Sequence, residues 1–148
     1  MIISDSSVKI DLAKIYAIIS WQSPSNLKDV QGFLSFANFY CRFIRGFSRL
    51  VRPLVALTHK GAMFKWSPAC ETAFQNLKVA FTSAPILRHF DPSREVFIET
   101  DASDFVSSGI LSQKDNIGIL YPVAFMSRKH TKAKCNYEIY NKELLAII

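Results

Sequence analysis

Glu95-Val96-Phe97-Ile98-Glu99-Thr100-Asp101, bounded by Asp91-Pro92-Ser93 before it and Ala102-Ser103-Asp104 after it, is where the hydrophobic period of this chain changes. β-Branched and aromatic residues dominate the stretch and turn formers close both ends, which is the composition of a strand. Downstream, Val106 to Gln113 reads as a second strand, Lys114-Asp115-Asn116 as a turn, and Ile119 to Ser127 as a third strand. An antiparallel meander is expected. Beyond it a last helix starts near Cys135 or Asn136, with Tyr137, Tyr140, Leu144 and Ile147 at helical spacing. Ile148 falls inside that apolar stripe without a glycine cap, so the reading is of a domain truncated at its C-terminus. An open sheet edge is expected beside the third strand or at the mouth of the meander.

Upstream the period is that of helices, and four are expected between residues 11 and 83. Asp11 caps the first, whose Leu12, Ile15, Tyr16 and Ile19 form an apolar stripe. Ser25 or Asn26 caps a second, running to about Phe43 with Leu27, Val30, Leu34, Ala37 and Cys41 on one side. Gly46 marks a break, and Pro53 suits the first turn of a short third helix. Ser67-Pro68 opens a fourth, with Cys70, Phe74, Leu77 and Phe81 aligned until Ser83-Ala84-Pro85 stops it.

With 148 residues and 49% apolar content the chain can bury a core, which excludes intrinsic disorder. No stretch is apolar enough to span a bilayer, and the N-terminus lacks the pattern of a secretory signal. No membrane partner and an intracellular location, in a cytoplasmic particle or the nucleus, are expected. Cys41, Cys70 and Cys135 are odd in number and scattered, as are the three histidines, so no zinc site or disulfide framework is expected. The net charge is +6 and unevenly spread. Residues 28–65 hold seven Lys/Arg against Asp29, residues 66–127 carry four basic against seven acidic residues, and the tail is basic again. A polyanionic partner would meet the basic first half.

Three groups of residues carry candidate chemistry. On the second helix, Gln31, Ser35, Asn38 and Arg42 fall in one line flanked by Phe39. Amides and hydroxyls suit the sugar hydroxyls and base edges of a shallow minor groove, and the cation suits phosphate; an ordinary solvated helix face is the alternative. Arg42, Arg45, Arg49 and Arg52 would form one phosphate-tracking stripe if their helix were continuous, which Gly46 argues against. Asp101 at a strand end and Glu143 on the last helix can converge on a divalent cation, because Mg²⁺ prefers carboxylate oxygens. A turn-forming Asp101 and a solvent-facing Glu143 are the alternative.

Longer strings add a resemblance. Val30-Gln31-Gly32-Phe33-Leu34-Ser35-Phe36-Ala37-Asn38-Phe39-Tyr40-Cys41-Arg42-Phe43-Ile44, Phe64-Lys65-Trp66-Ser67, Thr82-Ser83-Ala84-Pro85-Ile86-Leu87 and Glu99-Thr100-Asp101-Ala102-Ser103-Asp104 are four of them. Leu111-Ser112-Gln113, Pro122-Val123-Ala124-Phe125-Met126-Ser127-Arg128-Lys129 and Asn136-Tyr137 through Lys142-Glu143-Leu144-Leu145-Ala146-Ile147 complete the set. In this order they closely resemble the reverse transcriptase of gypsy-class long-terminal-repeat retrotransposons. The resemblance implies an α+β piece of a Pol polyprotein. Residues 1–8 correspond to the end of the palm and 9–63 to a helical thumb. Residues 64–148 correspond to an RNase H-like domain, truncated to a three-stranded antiparallel meander plus one helix.

It further implies that Gln31, Ser35, Asn38, Phe39 and Arg42 meet the minor groove of duplex nucleic acid. Ser35 stands where the family usually has glycine. Asp101 and Glu143 match the first two of four carboxylates that hold Mg²⁺, or Mn²⁺ in its place, for cleavage of the RNA strand of an RNA–DNA hybrid. The other two carboxylates match no residue here, and no Tyr-x-Asp-Asp polymerase string occurs. The expected partners are RNA–DNA hybrid or duplex nucleic acid and the rest of the Pol polyprotein. This chain alone is expected to be inactive in cleavage. A non-catalytic nucleic-acid-binding remnant and a decayed insertion are the other readings.

Overall fold

The structure is a computed structural model that describes residues 1–5, 7–103, 105–131 and 147. Asp11 caps α1 (Leu12–Ile19), its carboxylate accepting from the Ala13 N–H at 2.9 Å. The stripe expected on this helix is not the buried one: Leu12, Tyr16 and Ile19 face solvent and Ile18 is the side chain fully enclosed. At the helix end Lys78 donates to the carbonyls of Ile19 (3.1 Å) and Trp21, which ties this end of α1 to the layer that encloses Ile18.

α2 (Leu27–Phe39) begins with a reciprocal cap. Asn26 Oδ1 accepts from the Asp29 N–H at 3.0 Å, and the Asp29 carboxylate accepts in turn from the Ser25 N–H (3.0 Å), the Ser25 hydroxyl (2.8 Å) and the Asn26 amide (2.9 Å). These bonds, the one from the Ser25 backbone foremost, hold the Asp29 carboxyl below its ordinary value. They also set the rotation of the helix, which buries Val30, Phe33 and Ala37 and leaves Leu27 exposed. α2 stops at Phe39 rather than at Phe43, because Tyr40 leaves helical geometry at φ −103°, ψ 12° and Cys41–Phe43 tighten into a 3-10 turn.

Gly46 then takes a left-handed conformation at φ 66°. Behind it an unexpected one-turn helix, α3 (Phe47–Leu50), precedes the expected short one, α4 (Arg52–Ala56), which has Pro53 in its first turn. α5 (Pro68–Thr82) follows the expected cap and stripe, with Ser67 accepting from the Cys70 N–H and Cys70, Phe74, Leu77 and Phe81 buried together with Ala73. One core joins all five helices. The Phe33 ring lies 4.7 Å from that of Phe74, and Trp21 sets its edge against Phe33 and Phe36, both at 5.5 Å.

A small sheet without a counterpart in the sequence reading closes this core. β1 (Ile2–Ile3) pairs antiparallel with β2 (Ser7–Lys9), which pairs with β3 (Leu87–Arg88) after α5. Strands of two or three residues are too short to show a period, yet Val8 and Leu87 are buried against the helices.

The meander is present in the expected order, as β4 (Val96–Ala102), β5 (Val106–Lys114) and β6 (Leu120–Lys129), all antiparallel. Leu111 faces Ala124 while Ser112 faces Pro122, so Val123 is an extra residue in β6. A bulge beside Pro122 fits its chemistry, since proline has no N–H to give the ladder. The closed end is clamped by fully buried Gln113, whose amide accepts from the Asp91 N–H (2.9 Å) and donates to the carbonyls of Asp91 (2.8 Å) and Arg94 (3.3 Å). Sheet and helices are tied at Ser48 of α3: its N–H donates to the Ser127 hydroxyl at 2.8 Å and its hydroxyl to the Ser127 carbonyl at 3.0 Å. α3 and the 3-10 turn thus flank β6. Both outer strands of this sheet, β4 and β6, lack a further hydrogen-bonded strand among the described residues, so the edge beside β6 is open as expected and that of β4 is open as well. No helix among the described residues is long and apolar enough to cross a membrane. The expected last helix lies outside the described residues.

Candidate nucleic-acid interface and carboxylate site

The cap at Asn26 and the enclosed Phe33 fix α2 so that its opposite side faces solvent. Gln31, Ser35, Asn38 and Phe39 are all exposed there, and Arg42 is exposed one turn further on, in the 3-10 segment. Phe39 is the distinctive member: its ring is 64% exposed, with the edge-on ring of Tyr40 4.9 Å away. An aromatic ring that burial does not hold is free to stack on a sugar or base. The sequence-derived face is therefore assembled on one surface, as a hydrogen-bonding line that ends in a guanidinium.

The four arginines do not form one stripe. The 3-10 turn with extended Ile44, the left-handed residue Gly46 and the change of helix at Val51 break the line, and the four fall into two pairs, Arg42 with Arg52 and Arg45 with Arg49. Arg42 and Arg52 join Asn38 and Lys129 around a groove of about 540 Å³ floored by Phe47, Val51 and Phe125. The Arg52 guanidinium carbon sits 3.8 Å from the centroid of the Phe105 ring, a cation–π contact that fixes this side chain across the groove. Arg45 and Arg49 line a second cleft of about 700 Å³, whose far wall holds Asp101 and Ser108. Among the described residues no ion pair joins these arginines to a carboxylate, and the ion pair found there is Arg94 with Asp91, at 2.9 Å. Asp91 is held below its ordinary value by the Ser93 hydroxyl first, then the Ser93 N–H and Arg94.

Asp101 stands one residue before the end of β4, opposite Ser108 of β5, and is exposed while the next residue, Ala102, is buried. It also lines a smaller cavity of about 310 Å³ with Arg45 and Glu99. A solvent-facing carboxylate at a strand end supplies the hard oxygen donors that Mg²⁺ takes, so it fits one arm of a divalent-cation site. Among the described residues no three His, Cys, Asp or Glu side chains group around a common point. Glu143 lies outside the described residues. The sequence reading missed that Arg45 and Arg49 share a cleft with Asp101. Their basic cluster was visible, but bringing residue 45 beside residue 101 depends on how α3 sits against the sheet.

Residues 66–148 match the family described as the RNase H-like domain found in reverse transcriptase. The Tf2-3 and Tf2-4 transposon polyproteins of Schizosaccharomyces pombe are each 41% identical to this chain over 131 residues, which is 88% of the chain and 10% of each polyprotein. The chain thus spans about a tenth of the length of those relatives. In fold it is similar to a foamy viral protease-reverse transcriptase solved in complex with double-stranded DNA, with a TM-score of 0.81 over 94% of this chain and 24% of that one, at 23% identity. The same viral enzyme in complex with an RNA/DNA hybrid gives a TM-score of 0.77 over 93% of this chain and 19% of that one, at 24% identity. The meander that carries Asp101 and the helix before it therefore fall within a known family, and the chain belongs to the RNase H-like domains found in reverse transcriptases.

Proposed function

We propose that this chain is the thumb and RNase H-like part of a gypsy-class retrotransposon reverse transcriptase. In it residues 9–63 hold duplex nucleic acid and residues 64–148 contribute to cleavage of the RNA strand of an RNA–DNA hybrid; residues 1–8 close the palm. The observation that carries this reading is the exposed line of Gln31, Ser35, Asn38 and Phe39 leading to Arg42. Their short polar side chains reach sugar hydroxyls and base edges without the bulk of lysine or glutamate, and Phe39 supplies a stacking surface. Arg42 binds phosphate where the duplex leaves α2.

Asp101 and Glu143 would hold Mg²⁺, or Mn²⁺, which supplies an activated water and charge neutralisation for hydrolysis of the phosphodiester. The chain's own contribution is to present the Asp101 oxygens in an open cleft and keep the duplex in register through α2. Cleavage belongs to the whole polyprotein. The rest of that polyprotein is the expected covalent partner.

The test is fluorescence anisotropy of a labelled RNA–DNA hybrid and of double-stranded DNA across a salt series without Mg²⁺. Binding that steepens at low salt and falls roughly tenfold or more in Gln31→Ala/Asn38→Ala supports the reading. Asp101→Asn should leave it intact. Absent or salt-insensitive binding refutes it.

A further inference from the structure

We infer that Arg45 and Arg49 form a second phosphate-binding site, which seats the hybrid's backbone against the Asp101 end of β4; the inference rests on the proposed nucleic-acid reading and extends it to residues beyond α2. Four observations carry it. The two arginines share a single cleft with Asp101, although they stand in a turn and on α3 more than fifty residues earlier in the chain. Among the described residues no carboxylate neutralises either of them, and Arg94–Asp91 is the ion pair found there. An arginine already engaged by Asp101 would have its fork occupied, whereas an unpaired fork can take two phosphate oxygens at once.

The cleft is also open for a structural reason. α5 turns Ala69, Thr72, Ala73 and Asn76 toward it, small or short side chains at i, i+3, i+4 and i+7, while its large apolar residues go to the core. Finally, the 3-10 turn with extended Ile44 parts Arg45 from Arg42 and the change of helix at Val51 parts Arg49 from Arg52, so Arg45 and Arg49 line this cleft while the other two line the groove. The cleft holds two guanidiniums against one carboxylate, and Glu99 enters the adjoining smaller cavity with Arg45. A phosphodiester lying between cations and carboxylate is bound by the former, which leaves the carboxylate oxygens free for a divalent cation on its other side. Arg45 and Arg49 are positioning residues in this arrangement. They place the backbone and do not take part in bond cleavage.

The experiment uses the 148-residue chain with labelled RNA–DNA hybrid and no divalent cation. Arg45→Ala/Arg49→Ala is compared with Lys14→Ala/Lys60→Ala, which removes the same charge from exposed positions elsewhere. Loss of two phosphate contacts lowers the slope of log K against log salt by about 1.8, so the gap to wild type narrows roughly twelvefold between roughly 50 and roughly 200 mM salt. The lysine pair, exposed and outside the cleft, should lower the slope by less than the arginine pair. A hybrid with a single methylphosphonate, moved along the RNA strand, should cost the wild-type chain roughly tenfold at one or two positions and cost the arginine variant nothing there. Arg45→Lys/Arg49→Lys should restore the slope without restoring full affinity.

The inference is overturned if the arginine and lysine pairs flatten the slope alike, or if the methylphosphonate costs both chains equally. It is overturned as well if Arg45→Ala couples to Asp101→Asn and not to the phosphate, which would make Arg45 an internal counter-ion. Sensitivity to Gln31→Ala/Asn38→Ala with none to the arginine pair removes this inference alone. Absence of hybrid binding by the wild-type chain removes it together with the reading it rests on.

Discussion

The helical half and the meander are built on opposite terms. The helices enclose Phe33, Phe43, Phe74 and Phe81 completely and interlock them with Trp21 and Tyr40. The meander buries Ala102, Val106 and Val123 as its apolar residues and leaves Val96, Ile98 and Met126 partly in solvent. What holds it in place is polar: the Gln113 clamp at one end and the Ser48–Ser127 bonds at the other. Apolar burial scales with area removed from water, whereas hydrogen bonds contribute modestly and fail abruptly when one partner is lost. The candidate carboxylate Asp101 therefore sits on the less densely packed half, held in shape by few and identifiable bonds.

Phe74→Ala attacks the stronger half and should have the largest effect. It removes a fully buried ring in contact with Phe33 and Trp66, for a loss of about 3–5 kcal/mol in chemical denaturation. A loss below about 1 kcal/mol would mean that the helical core is not the main store of stability. Gln113→Ala probes the weaker half: it strands the Asp91 N–H and two carbonyls, at about 1–3 kcal/mol. Native-state hydrogen exchange should rise in β4 and β5 while α2 and α5 stay protected. Equal acceleration in both halves would show one cooperative unit and dissolve the contrast.

The smallest expected effect is on acid stability. Glu71 accepts from the Gln75 amide (2.8 Å), the Trp66 indole (2.7 Å) and the Ser23 hydroxyl (3.0 Å), and these bonds, Gln75 foremost and aided by the charge of Lys78, hold its carboxyl below the ordinary glutamate value. A carboxyl depressed on folding stabilises the fold above its unfolded pKa and loses that contribution as pH falls through the folded one. Glu71→Gln should flatten this acid limb of the helical transition, followed by tryptophan fluorescence. The idea fails if the variant keeps the wild-type acid profile.

The sequence showed what depends on local chemistry. Ser67-Pro68 at the start of α5 and Asn26 at the start of α2 read correctly because a cap satisfies N–H groups two or three residues away. The meander was legible from Val96 to Lys129 because each strand is long enough to show composition and each turn contains turn formers. Ile18 was missed as the buried side of α1 since its neighbours in the core come from far along the chain, where the Lys78 bond to the helix end also originates. β1, β2 and β3 were missed because their pairing is tertiary and their length shows nothing. Of the candidate site, the α2 face was legible because it lies on one helix, and the company Arg45 keeps with Asp101 was not, because it crosses from helix to sheet.

Gly46 can be put in terms of phase. An α-helix advances about 100° per residue, so spacings of three, four and three carry four arginines along one side only while that count is unbroken. Here the count breaks at the 3-10 turn that carries Arg42, again at left-handed Gly46 and again at Val51, and the same spacing then addresses two different walls. No neighbour stands within 4 Å of where a Cβ on Gly46 would be, so the break there is held by backbone conformation alone. The phase break between Arg45 and Arg49 is thus encoded in the absence of a side chain, at a position where packing would tolerate one.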